Sequence, residues 1–233
     1  MSRRFLGRVI FLRHGQSKYT DIYPDITEKG VETITKSANL IKLLLNNSSA
    51  VIITSPAARA QGSAAVIARI IKYQDKIRKE PAIEGAIFNN KILGQALFNE
   101  HVERGGIRAL DMAYGTDSRY ENSEIVEPRS KVRKRFFEYL AKLTNALLKR
   151  QSPLDIICVS HYEILYHFVE HLFELDYTKD EPLGHGEIIA VSIFDVGLQG
   201  MDVDVVEIEV TFRKKIVGQI RRKFFNYKQH KII

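Results

Sequence analysis

The feature that most constrains the fold is the alternation of short apolar runs with segments of helical periodicity. Residues 8–13 (RVIFLR), 50–54 (AVIIT) and 154–160 (LDIICVS) each have the length and composition of a buried strand. Strands that alternate with helices pair in parallel and carry helices on both faces of the sheet. The sequence therefore predicts an α/β fold, a three-layer αβα sandwich around a mostly parallel central sheet. Helices are predicted from the N-cap Thr27 to about Leu45, from Ser55 to about Ile71, over about 123–149 and over about 162–173.

The remaining segments are less regular. Residues 76–79 predict a short strand, and residues about 85–122, where glycines interrupt weak helical patterns, predict an inserted helical or loop cap. Two further strands are predicted at 187–195 and 203–212, and the apolar–polar alternation of the second indicates a half-exposed edge strand. We expect one α/β domain over residues 1–212.

The basic charge of the chain is concentrated at its end. Residues 211–233 hold eight Lys or Arg and no acidic residue, whereas the preceding residues hold 27 basic and 28 acidic ones. Apolar Ile216, Ile220 and Phe224 recur at a helical interval, which predicts that the tail, residues 213–233, is helical and packs on the body. An acidic partner for the tail is the alternative, and nucleic-acid binding by the whole protein is not indicated.

Length and composition limit the class of protein. A chain of 233 residues with 45% hydrophobic content suits a single domain. No apolar run approaches the roughly 20 residues of a membrane-spanning helix, and the N-terminal apolar stretch is broken by Arg8 and has no small-residue cleavage site. The one cysteine, Cys158, lies inside an apolar run and predicts a buried thiol. We expect a cytoplasmic protein.

Side chains that can bind an anion follow three of the predicted strands. Arg13 and His14 end the first, Arg59 lies in the first helical turn after the second, and His161 follows residues 154–160. Since parallel sheets bind ligands at the carboxyl ends of their strands, we expect these side chains to lie close together. The charge of an arginine at a helix N-terminus is repelled by the positive end of the helix dipole. A bound anion that both groups face offsets this repulsion. Together the four groups can hold a phosphate and attack it.

The motifs around these residues resemble those of the histidine phosphatase superfamily, which includes cofactor-dependent phosphoglycerate mutases and many broad phosphatases. The resemblance covers roughly residues 7–84 and 150–195. Its motifs are LRHGQS at 12–17, ITEKG at 26–30, SPAARA at 55–60 and VSH at 159–161.

The resemblance implies roles for individual residues. His14 would be the nucleophile that forms a phosphohistidine, and Arg13, Arg59 and His161 would hold the phosphoryl oxygens, with His161 also acting in catalysis. Ser17 and Thr20 would bind phosphate as well. The resemblance implies no metal ion and no cofactor, because the cationic cluster can stabilise the transferred group by itself.

A carboxylic acid after the third strand supplies the leaving-group proton in this family. Glu84, in Pro-Ala-Ile-Glu at 81–84, fits this position, and Glu80 is its nearest competitor. His185, between two glycines, is placed where it could approach the site, but it is not assigned to it.

The chain departs from the family pattern at three places. Thr20 stands where an asparagine is common, Tyr162 and Glu163 stand where glycines are common, and the segment 86–90 lacks the usual glycine-rich stretch. Because an inward carboxylate would repel phosphate, we expect the side chain of Glu163 to point away from the site.

We expect a metal-independent phosphatase that hydrolyses a phosphomonoester, with a phosphorylated small molecule as its substrate. A mutase-type phosphotransferase is the first alternative, although no Glu-Arg-x-Tyr-Gly stretch occurs near Glu84. A non-catalytic module that binds a phosphorylated partner is the second. The sequence identifies neither the particular substrate, nor the role of residues 85–122, nor the oligomeric state.

Overall fold

Six strands form the body of a mixed sheet in the computed structural model, which describes residues 3–18, 25–45, 49–175, 180–196, 205–213, 215–216, 225–226 and 231–232. In chain order the elements are β1 Arg4–Arg13, α1 Glu28–Leu45, β2 Ala50–Thr54, α2 Ala58–Ile71, β3 Arg78–Lys79, α3 Lys91–Thr116, α4 Arg129–Leu148, β4 Leu154–Ser160, α5 Tyr162–Phe173, β5 Ile188–Asp195 and β6 Val205–Phe212. Short 3₁₀ helices lie at Pro81–Ile83 and Ser118–Glu121.

The strand order explains why three strand ends meet. The sheet runs β3-β2-β4-β1-β5-β6, with β3, β2, β4 and β1 pairing in parallel. Strand β5 is antiparallel to both of its neighbours, so five of these six strands point the same way. The predicted α/β sandwich with a mostly parallel sheet is confirmed. The carboxyl ends of β1, β4 and β2 therefore lie side by side at one edge of the sheet.

The two faces of the sheet carry separate apolar cores. Val9 and Phe11 of β1 pack into a cluster with residues of α4 and α5, whereas Ile10 and Leu12 pack with residues of α1 and α2. This period-2 division follows from the pleat of a strand, whose successive side chains point to opposite faces. Cys158 belongs to the first cluster and is a buried, free thiol, as predicted.

Local side-chain chemistry sets several helix boundaries. Thr27 Oγ1 accepts a hydrogen bond from the backbone N–H of Gly30 at 3.1 Å, so α1 begins at Glu28 as the N-cap predicts. Helix α4 begins at Arg129, later than the predicted residue 123, because Pro128 has an extended conformation (ψ 144°) immediately before the first turn.

The insertion is more helical than the sequence suggests. Helix α3 spans Lys91–Thr116, and it is broken at Gly105–Gly106, where Gly106 has φ 68° and ψ −159°. A residue with a side chain is strained at this φ, whereas glycine adopts it readily because it has no Cβ atom. The predicted cap is therefore two helical halves on the α4–α5 side of the sheet, and it contributes Leu97, Leu110 and Tyr114 to that core.

The end of the chain corrects two predictions. The described residues of the basic tail form short strands, β7 Lys215–Ile216, β8 Phe225–Asn226 and β9 Lys231–Ile232, and no part of the described tail is helical. Strands β7 and β8 pair with β6, so β6 is not the edge strand that its alternation indicates. Of the three apolar residues on which the helical prediction rests, Ile216 lies in β7. Ile220 and Phe224 lie outside the described residues. In the part of the chain that the structure describes, no helix is both long and apolar enough to cross a membrane.

Candidate active site

The structure brings Arg13, His14, Arg59 and His161 together at the sheet edge. The backbone continues the strand pairing just beyond the strands, since His14 N donates to Ser160 O at 2.9 Å and Ser55 N donates to Val159 O at 3.0 Å. The imidazole centroids of His14 and His161 are 5.0 Å apart. Residues from three separate parts of the chain therefore lie close together, as the strand-end argument predicts.

The side chain of His14 is a neutral imidazole whose two nitrogens both make hydrogen bonds. It is buried, and its Nδ1 lies 2.7 Å from the carbonyl oxygen of Gly15, so Nδ1 carries the hydrogen. Arg59 Nε donates to His14 Nε2 at 3.1 Å, which identifies Nε2 as the nitrogen with the lone pair. Burial, and then the charges of His161, Arg59 and Arg13, lower the pKa of His14 well below its usual value. A neutral imidazole is the nucleophilic form.

His161 is buried and makes two side-chain hydrogen bonds. Arg59 Nη2 lies 3.2 Å from Nδ1, and because a guanidinium can only donate, Nδ1 accepts. Its Nε2, 2.7 Å from Ser55 Oγ, then carries the hydrogen and donates to that hydroxyl. Burial, and then Arg59, Arg13 and Arg135, lower the pKa of His161. The neutral ring can donate from one nitrogen only, so a dianionic ligand must raise this pKa before both can donate.

A buried ion pair between Arg13 and Asp111 was not foreseen from the sequence. Arg13 Nη1 donates to Asp111 Oδ2 at 2.5 Å and to the carbonyl of Leu183 at 2.6 Å, and Nη2 donates to Asp111 Oδ1 at 3.2 Å. Burial raises the pKa of Asp111 to about 7, against the opposing effect of Arg13 and with a further rise from Glu163. Asp111 lies in α3 without any recognisable motif, so only the tertiary contact reveals it.

Ser17 and Thr20 are the other predicted phosphate ligands, and His185 is the residue predicted to approach the site. Ser17 is buried, and its Oγ has no hydrogen-bond partner among the residues that the structure describes. Thr20 lies outside the described residues. His185 does approach the site, with its ring centroid 5.6 Å from that of His14. Burial, Arg13 and Arg59 lower the pKa of His185 to about 3.

The two candidate acids have different surroundings. The side chain of Glu80 caps the 3₁₀ helix by accepting from Ala82 N at 3.1 Å, and it lies 4.0 Å from Lys142 Nζ. Glu84 follows that helix and is half-buried. The next residue, Gly85, lies close to His161, because a Cβ atom on it would be 3.4 Å from His161 Cγ.

A single guanidinium holds the loop that carries Glu84. Arg135 of α4 pairs with the carboxylate of Glu127, with Nη2 and Oε2 2.6 Å apart. The same guanidinium donates to four backbone carbonyls around the loop. These belong to Pro81 at 3.2 Å, Ala82 at 3.0 Å, Glu84 at 2.8 Å and Gly85 at 3.3 Å.

The side chain of Glu163 lies beside Gly85. Its Oε2 is 3.4 Å from the position that a Cβ atom on Gly85 would occupy, and His161 Cγ lies equally close to that position. The carboxylate and the imidazole therefore both lie near one glycine.

Comparisons with solved structures find the same fold in several enzymes. Mycobacterial glucosyl-3-phosphoglycerate phosphatase is 15% identical with a TM-score of 0.54, covering 82% of this chain and 91% of that one. Phosphoglycerate mutase from Bacillus anthracis str. Sterne is 16% identical with a TM-score of 0.54, covering 80% and 87%. Phosphoserine phosphatase from Entamoeba histolytica, in complex with 3-phosphoglyceric acid, is 17% identical with a TM-score of 0.50, covering 79% and 90%.

Comparison of the sequence with family models identifies the family of the chain. A search of curated protein sequences finds no significant match. The model of the histidine phosphatase superfamily (branch 1), however, matches residues 9–209, which is most of the chain. The chain belongs to the histidine phosphatase superfamily.

Proposed function

We propose that this protein hydrolyses a phosphomonoester of a small molecule through a phosphohistidine intermediate on His14. The observation that carries the proposal is the state of the His14 imidazole. Its Nδ1 is committed to the carbonyl of Gly15, and its Nε2 keeps a lone pair within 3.1 Å of the Arg59 guanidinium. A phosphate that accepts from Arg59 would thus lie next to the attacking nitrogen.

The reaction has two steps. In the first, the Nε2 lone pair of His14 forms a bond to phosphorus while the ester P–O bond breaks, and the departing oxygen takes a proton from the general acid. In the second, water attacks the phosphorus, the same carboxylate accepts a proton from that water, and the N–P bond breaks to release phosphate. Arg13, Arg59 and His161 hold the oxygens, and positioning with charge stabilisation supplies most of the rate.

Glu84 is the proposed general acid. Glu80 caps the 3₁₀ helix and lies near Lys142, whereas Glu84 precedes Gly85, on which an added Cβ atom would lie 3.4 Å from His161 Cγ. A mutase-type transfer back to the product is the second candidate function, since the structural relatives include a phosphoglycerate mutase. Hydrolysis is favoured because the chain lacks the mutase-type Glu-Arg-x-Tyr-Gly stretch and places a carboxylate, Glu163, beside the cluster.

The proposal is tested by measuring phosphate release from phenyl phosphate in the presence of a chelator, with rapid quenching to trap the phosphorylated enzyme. We expect turnover and a phosphorylated histidine that maps to His14. Binding of inorganic phosphate without turnover would instead support the non-catalytic module. Isomerisation of phosphoglycerate faster than its hydrolysis would support the mutase.

Replacement of the general acid should make the rate depend on the leaving group. We expect Glu84→Gln to lower kcat by about 10²- to 10⁴-fold for an alkyl phosphate, whose alkoxide needs a proton. The loss should be less than about 10-fold for 4-nitrophenyl phosphate, whose anion leaves without one. Glu80→Gln serves as the matched control. Equal losses on both esters would exclude Glu84 as the proton donor.

Arg135→Ala should reproduce that selectivity, because it removes the donor that holds four carbonyls around Glu84. We expect a greater loss of kcat with the alkyl ester than with the nitrophenyl ester, and little further loss when Glu84→Gln is added. Arg133→Ala, at an exposed arginine of the same helix, is the control. Additive losses in the double variant would contradict a shared role.

A further inference from the structure

Glu163 places a carboxylate in a site that otherwise binds anions. It is the second residue of α5, directly after His161 and Tyr162, and its side chain is half-buried. Its Oε2 lies beside Gly85, which is the residue after the proposed acid, and the ring of His161 lies against the same glycine. Glu163 and His161 therefore lie against the same residue, which directly follows the proposed acid.

The carboxylate of Glu163 lacks a partner within the part of the chain that the structure describes. Among the described residues, it forms no hydrogen bond and no ion pair, whereas the nearby carboxylates of Asp111 and Glu127 each pair with an arginine. The dipole of α5 favours a negative charge at this position, but the effect is typically below about 1 kcal/mol and supplies no donor to the carboxylate oxygens. A half-buried carboxylate next to a binding site thus lacks the cation that such groups usually have.

The groups around Glu163 make a ligand cation more favourable still. The charge of Glu163 contributes to raising the pKa of Asp111 and of the tyrosines Tyr114, Tyr120 and Tyr162, after the larger effect of burial. These three hydroxyl groups are buried, and among the described residues none has a hydrogen-bond partner. None of these four groups supplies a positive charge to Glu163.

We propose that Glu163 selects phosphomonoesters of short amino alcohols, by binding an ammonium group on the leaving alcohol. The inference rests on the proposed function for the position of the phosphate. The cationic cluster takes the phosphoryl oxygens, and the Glu163 carboxylate on the other side of Gly85 takes the ammonium. A leaving alcohol that carries a carboxylate is repelled at the same place. The substrate class is thus set by a residue at which the chain departs from its family pattern.

Binding and turnover of matched ligands test this assignment separately. The binding probes are 2-aminoethylphosphonate and n-propylphosphonate, which have the same chain length and cannot be hydrolysed. The turnover substrates are 2-aminoethyl phosphate, n-propyl phosphate and phosphoglycolate. Each is measured with wild type, with Glu163→Gln and with Glu170→Gln, which makes the same change farther along α5 at an exposed carboxylate.

We expect Glu163→Gln to reduce the preference for the ammonium ligand over its propyl analogue by about 10- to 100-fold, the range of a hydrogen bond between charged groups. Glu170→Gln should leave that ratio unchanged. The ratio of ammonium to propyl ligand is compared between wild type and each variant, so intrinsic differences between the two ligands cancel. An unchanged binding ratio in Glu163→Gln would overturn the proposal, even if no ester were hydrolysed. The proposal would also be overturned if Glu163→Gln slowed the ammonium and propyl esters equally and slowed esters of more basic alcohols the most. That result would identify Glu163 as a proton donor.

Discussion

Replacement of His14 by alanine is expected to abolish turnover while the protein remains folded. The imidazole supplies the bond-forming lone pair, and the neighbouring arginines cannot replace it because a guanidinium stays protonated and has no lone pair to offer. We expect kcat for phenyl phosphate to fall by at least about 10⁴-fold, as for loss of other enzymic nucleophiles. The trapped phosphorylated enzyme should disappear with it.

The matched control for this variant is His167→Ala, at a largely buried histidine of α5 outside the catalytic cluster. We expect its turnover to remain within about tenfold of wild type. Circular dichroism and binding of inorganic phosphate show whether each variant keeps its fold and its anion site. Retention of more than a tenth of the wild-type rate by His14→Ala would refute nucleophilic attack by this residue.

Replacement of Asp111 by alanine is expected to cost both stability and activity. Arg13 and Asp111 are 3% and 5% exposed, so the substitution leaves a guanidinium buried without its counter-ion. Breaking such a pair on one side typically destabilises a protein by about 3–5 kcal/mol. We also expect kcat/KM to fall, since Asp111 fixes Arg13 through two hydrogen bonds. Urea unfolding and phosphate release measure the two effects.

Glu181→Ala provides the comparison for this substitution. Glu181 pairs with Arg108 at the surface, with both side chains more than half exposed, so its removal should cost less than about 1 kcal/mol. Similar losses for Asp111→Ala and Glu181→Ala would contradict the assigned role of the buried pair.

The titration of Asp111 adds a pH dependence. Folding raises the pKa of this carboxyl from 3.8 to about 7, so the folded protein binds the proton more tightly than the unfolded chain. The resulting stability is fully present below pH 3.8 and is lost as the pH rises through about 7. Asp111→Asn cannot titrate, and its unfolding free energy should therefore decline less than that of wild type over this range. Parallel pH profiles would contradict this.

The sequence predicted those features of the site that depend on local pattern. Apolar runs of strand length identify β1, β2 and β4, and parallel pairing requires their carboxyl ends to meet. Arg13, His14, Arg59 and His161 could therefore be expected at one end of the sheet, because each lies within a few residues of such a strand end. The N-cap at Thr27 and the division of β1 between two cores follow from equally local rules.

The tertiary structure decided the features that depend on contacts between distant segments. Asp111 meets Arg13 across 98 positions of the chain, and Arg135 reaches the Glu84 loop from α4. Neither residue lies in a motif, because a buried ion pair or a carbonyl clamp requires only a suitable side chain at the right place in space. The direction of Glu163 and the extension of the sheet by β7 and β8 have the same origin. Local periodicity determines which segments become strands and helices, whereas packing between segments determines which side chains share the site.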